Sequence, residues 1–66
     1  MNIKQALNQL AEGQSLSRDE MRAVMTEVMT GAATPAQIGA LLMALRIRGE
    51  TIDEIVGAAE VMRGLV

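Results

Sequence analysis

Two pairs of neighbouring carboxylates, Asp19-Glu20 and Asp53-Glu54, are the side chains in this sequence best suited to acid–base chemistry. Two carboxyl groups can divide the work of general acid and general base when their surroundings separate their pKa values. Here, however, the pairs follow Ser17 and Thr51 by two and three positions, in the first turn of a predicted helix. Negative charge at that position complements the helix dipole. We therefore interpret both pairs as structural.

The remaining candidates for chemistry are hydroxyl and guanidinium groups. Ser15 and Ser17 have no histidine to activate them, because the chain contains neither His nor Cys. That composition also removes thiol chemistry and the usual ligands of zinc and haem. Arg46 and Arg48, beside Gly49, could bind an anion, but cations in the last turn of a helix also offset its dipole. The sequence predicts no catalytic, cofactor-binding or metal-binding residue.

The composition of the chain limits the kinds of molecule that it could bind. Six basic residues stand against eight acidic ones, and Phe, Tyr and Trp are absent. Nucleic-acid binding would lack both a basic stripe and a stacking surface, so we expect no nucleic-acid partner. The longest apolar-rich run, Ala36 to Leu45, covers about half of a bilayer span, so we expect no membrane segment. The first residues lack the apolar stretch of a signal peptide, which favours a cytoplasmic location.

Sequence signals for the start and the end of a helix recur along the chain. A hydroxyl residue is followed three positions later by Glu or Gln at Ser17, Thr34 and Thr51, which is the spacing of a capping box. Glycines stand where three helices would end: Gly13, Gly31 and Gly49. We predict helices at residues 2–12, 18–30, 35–48 and 52–65 and no strands. Residues 1–66 then form one all-α domain, a compact four-helix bundle-like fold with short capped connections that make consecutive helices close neighbours.

Helices one and two each show one apolar face. The predicted face of helix one contains Ile3, Ala6, Leu7 and Leu10, and that of helix two contains Met21, Val24, Met25, Val28 and Met29. We interpret the methionines of helix two as core residues. The alternative is an adaptable groove that binds an amphipathic peptide, since methionine-rich surfaces suit such partners.

The last two helices are apolar on more than one side. Helix three has a predicted inner face of Ile38, Leu41, Leu42 and Leu45. Helix four directs Ile52, Ile55, Val56, Ala59 and Met62 one way and Ala58, Val61 and Leu65 another, while Gly57 and Gly64 weaken it unless something packs tightly there. The chain ends on the apolar pair Leu65-Val66, from which we expect the native protein to continue.

The outer side of helix three is the candidate interaction surface. Its candidate interface residues are Ala36, Ala40, Met43, Ala44 and Ile47. A helix that is apolar all round is a buried helix, but four helices in 66 residues cannot enclose one of their number. We therefore expect a second copy of the chain or another domain to cover this side.

Residues 34–59 carry a family resemblance, above all in the stretches Gln37-Ile38-Gly39-Ala40 and Gly49-Glu50-Thr51. Together with Val61-Met62-Arg63 and matching positions in helix two, they resemble the N-terminal helical domain of anthranilate phosphoribosyltransferases. These enzymes belong to glycosyltransferase family 3, in the nucleoside phosphorylase superfamily, and the related pyrimidine nucleoside phosphorylases share the pattern. The resemblance covers nearly the whole chain.

The resemblance implies a parent enzyme that transfers a phosphoribosyl group from phosphoribosyl pyrophosphate to anthranilate, with Mg²⁺, in tryptophan biosynthesis. It also implies that the glycine-rich phosphate motif lies in a following α/β domain, so no catalytic residue carries over to this chain and the fragment alone is not catalytic. In the family the helical domain frames the substrate cleft and forms a homodimer, which agrees with the outer side of helix three. The missing α/β domain is the other candidate to cover that side, and a freestanding peptide-binding adaptor is the alternative function.

Overall fold

The structure is a computed structural model that describes residues 1–64. This part of the chain contains four helices. They are α1 (Ile3–Ala11), α2 (Arg18–Met29), α3 (Pro35–Arg48) and α4 (Ile52–Gly64). These bounds agree with the predicted helices to within one residue, except that the predicted last residue of helix four, Leu65, and the apolar end Leu65-Val66 lie outside the described residues. Within residues 1–64 there is no strand, and the all-α class is confirmed.

The predicted helix starts are confirmed by their hydrogen bonds. At Ser17, Thr34 and Thr51 the hydroxyl accepts the backbone N–H three residues later, and the Glu or Gln side chain there accepts the N–H of the cap residue. A fourth capping box, which we did not predict, opens α1: Asn2 Oδ1 accepts the N–H of Gln5 at 2.9 Å, and Gln5 Oε1 accepts that of Asn2 at 3.0 Å. An asparagine at the N-cap supplies the same acceptor as a hydroxyl.

The predicted glycine stops are also confirmed. Gly13, Gly31 and Gly49 have φ angles of 82°, 80° and 85°, in the left-handed region where a side chain would be strained. Each lies one or two residues beyond the last helical residue of α1, α2 or α3. They turn the chain sharply enough for the next capping box to begin within a few residues.

Helix packing does not follow the order of the chain. Among residues 1–64 the most extensive helix contact is between α2 and α4, followed by α1 with α3 and then α1 with α2. The prediction that consecutive helices are close neighbours therefore holds only for α1 and α2. Short loops bring helix ends together, but the bodies of the helices pack where their surfaces fit. At Gly57 a Cβ would lie only 2.6 Å from the carbonyl oxygen of Arg18, so the missing side chain lets α4 approach the backbone of α2.

One apolar core joins the helices. Its buried members are Ile3, Ala6, Leu10, Leu16, Met21, Val24, Ala33, Leu41 and Leu45. The predicted face of α1 is confirmed, with Leu7 half-buried against this core, and so is the inner part of the α2 face. Met29, at the end of α2, is exposed.

The predicted inner face of α3 needs correction, and the structure shows which side of α4 packs, which the sequence left open. Leu42 of α3 was placed inside, yet it is 61% exposed, because no helix among residues 1–64 covers that flank. In α4, Ile52 is 80% exposed and Ile55 and Met62 are also exposed, whereas Glu54 and Gly57 are the buried residues. The side of α4 that packs is the one whose small residues allow close approach to α2, and the larger apolar side chains remain outside.

The lengths of the helices bear on the membrane question. The longest helix within residues 1–64, α3, has 14 residues, and none is both long and apolar enough to span a bilayer.

Candidate functional site

Glu54 is the one ionisable side chain in the core of the described chain, and it connects three parts of the fold. It is 1% exposed. Its Oε2 accepts the backbone N–H of Leu16, in the α1–α2 connection, at 2.7 Å, and its Oε1 accepts that of Thr51 at 2.8 Å. Nη2 of Arg48, the last residue of α3, lies 2.6 Å from Oε1 and 2.5 Å from Oε2. We call this group of four residues the Glu54 cluster.

The cluster keeps Glu54 ionised. Burial by itself raises the pKa of a carboxyl group, but the hydrogen bonds from Arg48, Leu16 and Thr51 and the positive charge of Arg48 outweigh it, so the pKa of Glu54 lies below its usual value. A general acid or base near neutral pH would need the opposite shift. Both oxygens are already occupied and shielded from solvent. We conclude that Glu54 holds the structure together and performs no proton transfer.

The other carboxylate pair has a comparable role in capping. Oε1 of Glu20 accepts the N–H of Ser17 at 2.8 Å and the side-chain amide of Gln9 at 3.2 Å. These two hydrogen bonds lower the pKa of Glu20. Asp19 pairs with Arg22 on the surface of α2, and Asp53 is exposed. The interpretation of both pairs as structural agrees with these contacts.

The carboxylates do not fit a magnesium site. Mg²⁺ takes oxygen ligands in a near-octahedral arrangement, usually with at least one carboxylate free to bind it. In the described part of the chain no three acidic side chains come together, and the buried one already binds Arg48. We derive no step of chemistry through a metal in this domain.

The alternative of an anion site at Arg46 and Arg48 is wrong for Arg48. Its guanidinium is paired with Glu54, and its side chain is only 21% exposed. Its Nε is buried and has no hydrogen-bond partner among residues 1–64. Arg46 is exposed in the same last turn of α3. Arg46 alone does not make the convergent pair of donors that anion recognition uses.

The outer side of α3 carries a row of exposed apolar residues. Ala36, Ala40, Met43 and Ile47 are all exposed, and the last two reach 57% and 79%. Spacings of three and four residues place these side chains on one side of a helix. We call them the α3 stripe. The fifth candidate, Ala44, is half-buried against the core, so it lies at the inner border of the stripe.

A second apolar surface lies on the other flank of α3. It is a groove of about 370 Å³ between α3 and α4. Its walls include Leu42, Leu45, Ile55 and Met62, and Met21 and Met25 of α2 line it as well. Met29 does not line the groove, so only part of the predicted methionine row contributes to it.

Sequence reasoning missed the Glu54 cluster. It identified the capping role of Glu54 correctly but related its charge only to the helix dipole and not to a buried ion pair. One signal was present: Arg48 and Glu54 lie six residues apart across a tight turn, and Val56, Gly57 and Ala58 make the turn that follows Glu54 apolar. A charged pair beside an apolar helix start indicates that the pair is shielded from water.

Comparison with known proteins agrees with this geometry. Residues 4–65 match the model of the family described as "Glycosyl transferase family, helical bundle domain". The chain belongs to this family. Membership confirms the resemblance expected from residues 34–59 and agrees with the all-α fold.

Several curated members of the family are closely similar. Over 65 residues, or 98% of this chain, it is 65% identical to the anthranilate phosphoribosyltransferase of Marinobacter nauticus. The corresponding identities are 63% for the enzyme of Pseudomonas syringae pv. tomato and 62% for that of Ectopseudomonas mendocina. The aligned region is the N-terminal part of those enzymes. The chain spans about a fifth (19%) of their length.

Proposed function

We propose that this chain is the helical domain of an anthranilate phosphoribosyltransferase, where it frames the substrate cleft and forms a homodimer. The observation that carries the proposal is the 62–65% identity to three such enzymes over nearly the whole chain. The parent reaction is transfer of a phosphoribosyl group from phosphoribosyl pyrophosphate to anthranilate in tryptophan biosynthesis. Residues beyond this chain, in an α/β domain, would bind the substrates and Mg²⁺.

The internal chemistry of the domain supports a scaffold role. Its buried carboxylate is ion-paired, and its other first-turn carboxylates cap helices or lie on the surface. Large apolar side chains are exposed on both flanks of α3. This distribution of paired charges inside and apolar side chains outside is expected of a domain that supplies a contact surface and no reacting group.

A cytoplasmic location is part of the proposal. Phosphoribosyl pyrophosphate carries several negative charges, and moving such charges through a bilayer without compensation is very costly. The enzyme must therefore share a compartment with the reactions that make this substrate. Cell fractionation with an antibody to the domain tests the location, and recovery in the periplasmic fraction would contradict it.

The parent activity can be tested directly. The reading frame is first followed past Val66 for a Gly-Thr-Gly-Gly-Asp segment, and the full product is then purified. We expect loss of anthranilate fluorescence when phosphoribosyl pyrophosphate and Mg²⁺ are added, and no change with the 66-residue chain alone. Phosphorolysis of a pyrimidine nucleoside without anthranilate turnover would assign the parent to the nucleoside phosphorylases instead.

The dimer is proposed to form through the α3 stripe. An isologous dimer brings the same patch of both copies together, and the exposed Met43 and Ile47 would be buried at its centre. Ala36 and Ala40 are small enough to let two helices approach closely. The rival cover for the stripe is the α/β domain of the same chain.

The substitution Met43→Glu tests the stripe. Sedimentation equilibrium of the 66-residue chain should show self-association that Met43→Glu abolishes, because a carboxylate would be desolvated in the contact. Met29→Glu is the matched control, since Met29 is also exposed but lies outside the stripe and the groove. Circular dichroism should show the same helicity for all three. A monomeric parent chain at high concentration, or an oligomer unaffected by Met43→Glu, would reject the stripe as the dimer contact.

The groove is the observation that favours the alternative function, a freestanding adaptor for an amphipathic peptide. Its walls are apolar and methionines line it, as expected for an adaptable helix-binding surface. The two functions predict different gene sequences after the codon for Val66. A stop codon directly after Val66 supports the adaptor, and an in-frame α/β domain supports the phosphoribosyltransferase.

A further inference from the structure

The α3 stripe is low at one end and raised at the other. Its two alanines, Ala36 and Ala40, occupy the N-terminal half, and the two large side chains, Met43 and Ile47, occupy the C-terminal half. All four residues are exposed. They follow one another at spacings of four, three and four residues, which is the spacing of the seam between two helices of a coiled coil. The stripe therefore has the form of a helix–helix contact surface, with recesses in one half and projections in the other.

Two copies of α3 that run in the same direction would fit each other poorly along the stripe. Each residue would then face its own counterpart, so Ala36 would meet alanine at one end of the contact and Ile47 would meet isoleucine at the other. A spacing that suits the alanines crowds the large side chains, and a spacing that suits the large side chains leaves voids beside the alanines. Both crowding and voids cost stability in a packed contact.

Two copies that run in opposite directions fit each other along the whole stripe. A two-fold axis at the midpoint of the stripe, between positions 41 and 42, places residue 40 opposite residue 43 and residue 36 opposite residue 47. Each large side chain then faces an alanine of the other copy, and large and small residues that face each other interdigitate. In a two-fold contact of this kind, residue i meets residue j and residue j meets residue i. The stripe thus carries both the projections and the recesses that its own copy needs.

We propose that two copies of the chain pair through the α3 stripe in opposite directions, with Met43 of each copy against Ala40 of the other and Ile47 against Ala36. The arrangement rests on the dimer contact of the proposed function and adds its direction and its register. The contact extends only about 16 Å along the helix. The self-association of the 66-residue chain is therefore measured at high protein concentration.

Single cysteines test the direction, because the chain has no Cys of its own. The variants Ala36→Cys and Ile47→Cys are oxidised separately and as an equimolar mixture. The proposed arrangement places residue 36 of one copy opposite residue 47 of the other, but it separates the two copies of either residue by about 16 Å along the helix, beyond the reach of a disulfide. We expect the mixture to form cross-linked dimers at least about tenfold faster than either variant alone, with one chain of each kind in the product by mass spectrometry.

Met29→Cys is the matched control, since Met29 is exposed but lies outside the stripe. Mixing it with Ile47→Cys should not accelerate cross-linking. Cross-linking of Ala36→Cys or Ile47→Cys alone at the rate of their mixture overturns the opposed direction.

An exchange of side-chain sizes tests the register without a disulfide. Ala40→Met places two methionines against each other in each central layer of the dimer, and Met43→Ala places two alanines there, so each variant alone should self-associate about tenfold more weakly than the parent chain. An equimolar mixture restores one methionine and one alanine in each layer and should associate about as tightly as the parent. A mixture that associates no more tightly than the separate variants overturns the pairing of residues 40 and 43.

Failure of the register and failure of the proposed dimer contact give different results. A parent chain that stays monomeric removes the dimer contact, and the register with it. If the parent chain self-associates and Met43→Glu abolishes this, but the cysteine mixture cross-links no faster than its separate variants, the α3 stripe remains the contact and only its direction and register are overturned.

Discussion

The close approach of α4 to α2 at Gly57 leads to a prediction that reverses the usual effect of a glycine-to-alanine change. In the middle of a helix, alanine is normally more favourable than glycine by about 1 kcal/mol. At Gly57, however, the added methyl carbon would lie 2.6 Å from the carbonyl oxygen of Arg18 and 3.2 Å from Cβ of Met21. We therefore expect Gly57→Ala to destabilise the domain.

The magnitude follows from what has to move. To restore ordinary contact, the backbones of α2 and α4 must separate by about 0.8 Å, because the nearest clash is with backbone and not with a flexible side chain end. Forcing extra volume into a well-packed contact costs about 1–3 kcal/mol. After the gain in helix propensity, the net loss is about 0–2 kcal/mol. The control is Gly39→Ala in α3, where no atom lies within 4 Å of the added carbon, so a gain of about 1 kcal/mol is expected.

Urea unfolding followed by far-ultraviolet circular dichroism measures both variants. A chain of 66 residues has a total stability of about 3–10 kcal/mol, so a difference of about 1–3 kcal/mol between the two variants is resolvable. The slope of free energy against urea should stay the same, and the midpoint should move down for Gly57→Ala and up for Gly39→Ala. If both variants shift upward by similar amounts, the close contact between α2 and α4 does not exist as described.

Three further predictions concern polar contacts. Glu54→Ala should lower the free energy of unfolding by about 3–5 kcal/mol, because it leaves Arg48 largely buried without its partner. Glu60→Ala, which removes an ion pair at the surface, should change the free energy of unfolding little. Equal effects of the two variants in urea unfolding would contradict this difference in burial. The pKa of Glu54 in the folded chain is lowered, so its contribution is present above the pKa of the unfolded chain and is lost as pH falls through the folded value. The urea midpoint should therefore drop as pH falls below the usual range of a glutamate carboxyl group, and less steeply in Glu54→Gln; parallel pH profiles would count against the assignment. Thr34→Ala should cost about 1 kcal/mol through loss of the α3 cap, and a thermal melt unchanged from the parent chain would show that this cap is dispensable.

The helices were predictable because their ends are encoded locally. A capping box needs only two side chains three residues apart, and a left-handed glycine needs only its own backbone. Ser17, Thr34 and Gly49 therefore gave helix ends that the structure confirms to within one residue. The start of α1 was also predicted to within one residue, but its capping box was not, because Asn2 supplies an amide oxygen where the other three starts have a hydroxyl. No tertiary information was needed for any of these.

The packing faces of α4 were not predictable by the same reasoning. Apolar spacing grouped Ile52 and Ile55 on one side and Ala58 and Val61 on another, and it did not decide which side packs. The structure instead buries Gly57 and Glu54, because close backbone approach and a fully hydrogen-bonded carboxylate make that side the better fit to α2. Which of the two sides of α4 packs depends on the surface of the helix it meets, and the sequence of α4 alone contains no information about that surface.

The apolar circumference of α3 has a physical explanation in the three surfaces that share it. Leu41 and Leu45 face the core, Leu42 borders the groove, and Met43 and Ile47 extend along the α3 stripe. A helix that serves only its own core can be polar over more than half of its circumference. The exposed apolar residues of α3 lie on both sides of its buried face, so contact with one partner would cover either the α3 stripe or the groove, but not both.

If the α3 stripe forms the dimer contact, the groove must meet a different surface, and substitutions in the groove should leave self-association unchanged. Leu42→Gln, measured beside Met43→Glu in sedimentation equilibrium, would show whether the two surfaces are independent.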